Sequence, residues 1–234
     1  ARHVHAGEVA LGRQGGEVLD VHAHELEFQF LAFEGNLEVA AAQRNLLGDV
    51  FLDAGLDVAG LLEGARAVLR ESSATTPLED SPGLVLGAVL GEAVLAGRDK
   101  MTLIASPELG SFGIWAEQLA AESLGKEGKG LVPVAGEPVG GPADYGSDRI
   151  FVVLEAGRSG GHEGEALEAL EEAGHPMVRI PLSNLALLGG EFLRWEIATA
   201  VAGSILGVNP FDEPNVQESK DNTRSLLEEF AKTG

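Results

Sequence analysis

The chain has no cysteine, which excludes a disulfide framework, a thiolate metal site and a thiol nucleophile, so its core stands without covalent staples. Positive charge is also scarce: 16 Lys and Arg face 37 Asp and Glu, a formal charge of -21 at pH 7. Such a balance repels phosphodiester backbones and anionic membranes, because a nucleic-acid binder needs Lys and Arg to displace condensed counterions. Neither nucleic acid nor a membrane surface is an expected partner. A small anionic ligand stays open, since it responds to the few donors lining its pocket more than to distant net charge. No apolar run reaches about eighteen residues, and the opening Ala1-Arg2-His3 does not lead into a long apolar stretch. The expectation is a cytoplasmic protein without membrane span or signal peptide. What is present, 44% hydrophobic and 23% charged residues, suits a globular chain able to bury a sizeable core.

Periodicity divides the chain. Residues 1–54 mix His, Gly and acidic residues with weak patterning and read as an atypical leader, whereas 55–234 form one coherent domain. From Gly55 a helical pattern runs through Val58, Leu61, Leu62, Ala65 and Leu69. A second helix spans 81–97, with Ser81 able to cap, Pro82 in the first turn and Gly97 as the stop. KMTLIASP reads as a buried strand, and a helix over 111–124 follows. LVPVAG and RIFVVLEAG are two further strands, EGEALEALEEAG an acidic solvated helix, PMVRIPL a fourth strand, and two helices flank the VNPFDEPN loop. Helices alternating with short apolar strands predict an α/β fold, a three-layer αβα sandwich on a mostly parallel sheet. In such sheets ligands collect beyond the carboxyl ends of the strands, which makes the loops 106–111 and 125–130 candidates for that edge.

Few residues announce chemistry. His3 with His5, and His22 with His24, stand two apart and would share a strand face, but no third ligand accompanies them. Ordinary surface histidines are the simpler reading, His162 and His175 included, and no metal or other cofactor is expected. Gln118 and Glu122 are four apart and share a helical face, an arrangement also common on solvated helices.

The surrounding residues give that pair a context. AESLGKEGKGLVPV and, later, GVNPFDEPNVQESK resemble two segments of the phosphoglucose isomerase family. The first is similar to the bacterial ES-x-GK-x-x-KG segment that carries the family's catalytic glutamate, here Glu122. The second resembles the C-terminal signature G-[IV]-N-x-F-D-Q-x-x-V-E-x-x-K, ending here at Lys220. The resemblance covers roughly Gly55 to the C-terminus, and its wording is closest to the isomerase part of bacterial transaldolase–glucose-6-phosphate isomerase fusions. It implies a sugar isomerase (SIS) domain, the second of two that face each other across the substrate.

It further implies aldose–ketose isomerisation of glucose 6-phosphate and fructose 6-phosphate through a cis-enediol. Glu122 would be the base, made more effective by partial burial, Gln118 would contact the phosphate end, and Lys220 would help open the sugar ring. Lys126 and Lys129 would border the pocket or face solvent. Glu213 stands at a substrate-binding position where the family has glutamine, and a carboxylate there repels a phosphate unless it faces away. The family's histidine has no counterpart in PADYGS, which offers only Asp144 and Tyr145. Neither the G-G-R-[FY]-S arginine nor the S-x-S-G-T-T phosphate loop of a first SIS domain is found. A missing N-terminal SIS domain or a homo-oligomer partner is therefore the expected companion, with a sugar phosphate as substrate. The competing reading is a non-catalytic sugar-phosphate-binding or scaffold domain.

Overall fold

In the computed structural model, residues 57–73, 75–156, 162–212 and 214–233 are described. The expected leader, with His3, His5, His22 and His24, lies outside the described residues, as does Glu213. Ten principal elements follow in order: α1 (Val58–Glu71), α2 (Pro82–Leu95), β1 (Lys100–Ala105), α3 (Gly110–Leu124), β2 (Val132–Ala135), β3 (Arg149–Ala156), α4 (His162–Glu172), β4 (Met177–Leu182), α5 (Leu188–Leu206) and α6 (Pro214–Thr233). Asp57 begins α1 by accepting a hydrogen bond from the Gly60 N–H at 2.9 Å, satisfying one of the donors a helix start leaves open. Ser81 occupies the N-cap position of α2, yet its hydroxyl makes no cap bond. It donates instead to the Ser72 hydroxyl at 3.3 Å, the two being buried together at the junction of α1 and α2.

The four strands pair in parallel in the order β2-β1-β3-β4, with Lys100–Ala105 in register against Arg149–Leu154. Side chains alternate along β3, and the alternation sorts the core into two faces. Ile150, Val152 and Leu154 meet Met101, Leu103 and the buried residues of α2, α3 and α5, including Leu86, Leu90, Phe112, Ala116 and Trp195. Phe151 and Val153 meet Ile104 and, from α4, Leu167 and Leu170. Helices thus cover both faces, as a three-layer αβα sandwich requires. Phe112, Trp115, Phe192 and Trp195 add tilted and edge-on ring contacts with centroids 4.6–6.4 Å apart, each such pair contributing about 1 kcal/mol beyond its buried area.

The backbones of α2 and α5 approach closely because α2 presents Gly83, Gly87 and Gly91, four apart, to Ile197, Ala198, Val201 and Ile205. Outside this layer, Val68 of α1 packs on Leu193, Ile197 and Val201. Both α3 and α5 follow a strand and run back across the sheet, so their last turns lie at the amino-terminal edge. The main-chain bond from the Val132 N–H to the Asp99 carbonyl, 2.7 Å, belongs to that edge. Loop 106–111 is at the carboxyl edge as expected. Loop 125–130 is not: it precedes β2 and sits at the opposite edge, because the helix between the two loops spans the sheet.

Candidate active site

Phe112, Ala116, Ala120 and Leu124 bury one face of α3 in the core. The 3.6-residue period then turns Ile114, Gln118, Ala121 and Glu122 outward, and all four are exposed, Ile114 by 65%. Gln118 Nε2 donates to Glu122 Oε1 at 3.1 Å, which orients the carboxylate along the outer face of the helix. The amide and carboxylate are therefore together, as their spacing predicts. Partial burial of Glu122 is not observed, because no described segment lies over this face.

Lys220 stands on α6, whose described side chains from Glu218 onward are all exposed. With Ser219, Thr223, Arg224 and Leu227 it lines a shallow, open depression along that helix. Leu226, Leu227 and Phe230 share this side, whereas Asp221, Ser225, Glu228, Glu229 and Lys232 fall on the other. The ammonium is thus on the apolar side of an amphipathic helix. Glu122 is not among the walls of the depression; its described partner is Gln118.

What joins the two segments is the loop after α3, where the structure overturns an expectation. Lys126 neither borders a pocket nor faces solvent: its side chain is 4% exposed, and Nζ reaches the Asn209 carbonyl at 2.6 Å, the Asp212 carbonyl at 2.5 Å and Asp212 Oδ1 at 2.7 Å. Three acceptors match the three donors of an ammonium group, which is how a buried cation avoids an unpaired donor. Lys129 is exposed and donates to the Leu206 carbonyl at 3.1 Å, placing positive charge at the C-terminus of α5. Gly207 ends α5 in the left-handed region, φ 66°. The lysine-bearing turn is itself tightly wound, with Glu127, Gly128 and Gly130 all at positive φ. A Cβ at Gly130 would run into the Leu124 carbonyl oxygen, so glycine is required there.

Other candidates have structural partners. Asp144 Oδ2 accepts from the Gly141 N–H at 2.7 Å, and the Tyr145 hydroxyl accepts from the Gly140 N–H at 2.9 Å. Both are therefore engaged in shaping the loop before β3. His175 is not solvated as expected: it is half-buried, edge-on to Tyr145 and Phe151. The His162 side chain lies outside the described residues. Among the described residues no group of three His, Asp or Glu has the arrangement of a metal site, and no helix is long and apolar enough to cross a membrane.

No protein-family model matches the chain. Individual proteins do. It is 33% identical over 217 residues to a glucose-6-phosphate isomerase of Rubrobacter xylanophilus, a match covering 74% of this chain and 49% of that protein. A glucose-6-phosphate isomerase of Enterococcus faecalis is 28% identical over 221 residues, covering 76% and 49% respectively. Among solved structures, a Thermus thermophilus protein described as hypothetical superposes with a TM-score of 0.64 at 25% identity, covering 74% of this chain and 51% of that one. A glucose-6-phosphate isomerase from Chlamydia trachomatis superposes with a TM-score of 0.54 at 17% identity over 74% of this chain, which bears on the fold. Over about three quarters of its length this chain is similar to glucose-6-phosphate isomerases, and it spans about half the length of the curated relatives it matches.

Proposed function

We propose that this chain is the base-bearing SIS domain, residues 55–234, of a cytoplasmic glucose-6-phosphate isomerase, of the type also found in transaldolase fusions. The observation that carries the proposal is the Gln118–Glu122 pair, hydrogen-bonded and presented on the open face of α3, in a chain whose relatives bear that name. Glu122 removes the proton from C2 of the open-chain aldose while the C1 carbonyl oxygen gains a proton, forming a cis-enediol. It then returns the carbon-bound proton to C1 as the C2 hydroxyl becomes the carbonyl. One carboxylate on one face of the sugar serves both transfers, and such general base catalysis contributes about 10²- to 10⁴-fold.

Lys220 assists ring opening by proton donation near the ring oxygen, Gln118 contacts the phosphate end, and Glu213 is a further substrate-binding position. The openness of the α3 face and of the Lys220 depression supports a site completed by a further half, supplied by another segment or another chain. That half must bring the cation that stabilises the enediolate, because the reaction needs donors aimed at the developing charge. Conversion of fructose 6-phosphate by this chain, with a chain supplying the unmatched half of its relatives, tests the reading. Wild type should turn over and Glu122→Gln should be slower by at least about 10²-fold. Saturable binding of the sugar phosphate without turnover would identify a non-catalytic binding domain instead.

A further inference from the structure

We infer that Lys126 is a positioning residue, which fixes the helix bearing Lys220 relative to the helix bearing Glu122; this rests on the isomerase reading above. The loop between α5 and α6 is seated on α5, where the Val208 N–H donates to the Gly203 carbonyl at 3.0 Å and Pro210 packs against Gly203. From Glu218 onward the described side chains of α6 are exposed, and the described segment that leads toward it is the loop after Gly207. That loop is fastened to the end of α3 by one buried ammonium, through the Asn209 and Asp212 carbonyls and the Asp212 carboxylate. Lys126 lies four residues beyond Glu122, and Asp212 lies eight before Lys220.

The clamp is built for this. The ammonium is 4% exposed, while its carboxylate partner is 51% exposed and can be solvated when the cation is absent. Two of the three acceptors are main-chain atoms, so the bond set fixes backbone rather than a side-chain rotamer. Asn209 Oδ1 also accepts from the Phe211 N–H at 3.0 Å, stiffening the loop that Lys126 grips. Lys129 secures the adjoining end of α5 through the Leu206 carbonyl. A base and a proton donor acting on neighbouring atoms of one sugar must hold their separation closely, since a misplacement of about 1 Å can cost about 10²-fold in rate. Lys126 supplies that constancy without touching substrate.

The test uses paired spin labels at Ala121→Cys on α3 and Asn222→Cys on α6, both exposed, in a chain with no native cysteine. The distance distribution should be narrow with Lys126 present. Lys126→Met should broaden or split it, and Asp212→Asn, which keeps both carbonyl acceptors, should broaden it less. In the isomerase assay Lys126→Met should lower kcat about tenfold or more with KM changed by less than about twofold. Should Lys126→Met fail to fold, the Asp212→Asn distribution decides. Unchanged distributions in both variants, or a broadened one with kcat unaltered, overturn the inference. Broadening in a chain whose parent, assayed with the chain supplying the unmatched half, shows no isomerase activity supports the clamp and sinks the isomerase reading, so the two failures are separable.

Discussion

At the scale of single residues, Glu191 sets a pH dependence of its own. It is 4% exposed on α5, with Oε1 3.2 Å from the Arg194 guanidinium and Oε2 without a hydrogen-bond partner among the described residues. Burial raises its pKa above the ordinary 4.5, and the Arg194 charge offsets only part of that. The folded state then holds the proton more tightly than the unfolded chain. Its contribution is most favourable below the ordinary value and is lost as pH rises through the raised one. Glu191→Gln should therefore gain Tm relative to wild type as pH rises from about 4 to about 7; a difference independent of pH would count against this. Gly130 makes a second prediction. With φ at 122° and the Leu124 carbonyl in the way, Gly130→Ala should cost about 1–3 kcal/mol in denaturant unfolding. The glycine-rich text around these positions was legible as a turn, but the burial of Lys126 was not. Its acceptors lie 83 and 86 residues away, and two of them are carbonyls that every residue possesses, so no side-chain pattern marks them.

At the scale of elements, the packing of α2 on α5 and the isolation of α6 make opposite predictions. A Cβ at Gly87 would sit 2.5 Å from the Ala198 carbonyl oxygen and 2.6 Å from Val201 Cβ, too close for any rotamer change to relieve. Gly87→Ala should destabilise by about 1–3 kcal/mol, read as a lower denaturant midpoint, because the helix backbones must separate. By contrast α6 buries none of its described side chains. Its amide protons should exchange far faster than those around Trp195, which is fully buried in α5; equal protection would contradict the description of α6. Element positions were readable because each signal is local. Gly97 and Gly174, at φ 80° and 87°, mark chain reversals after α2 and α4, and the apolar run RIFVVLEAG marks a strand buried on both faces. The edge at which a loop lies is not local. Loop 106–111 leads from β1 into α3 and loop 125–130 from α3 into β2, and the passage of α3 from one side of the sheet to the other sets them at opposite edges.

At the scale of the whole molecule, helical and strand periods sufficed to anticipate a parallel sheet between helices, and β3 shows why: its alternating residues reach two separate cores. The site was legible only as far as a chain segment can carry it. Gln118 and Glu122 are neighbours on one helix, so their spacing predicts their hydrogen bond. Lys220 stands on a separate helix beyond the loop that Lys126 grips, and the chain spans about half the length of the relatives it matches. Proton transfer by Glu122 is the claim on which the functional account rests. Fructose 6-phosphate incubated in deuterium oxide with this chain and the complementary half should give glucose 6-phosphate labelled at C2, and Glu122→Gln should slow labelling by about 10²- to 10⁴-fold. Labelling by Glu122→Gln at the wild-type rate would contradict the account.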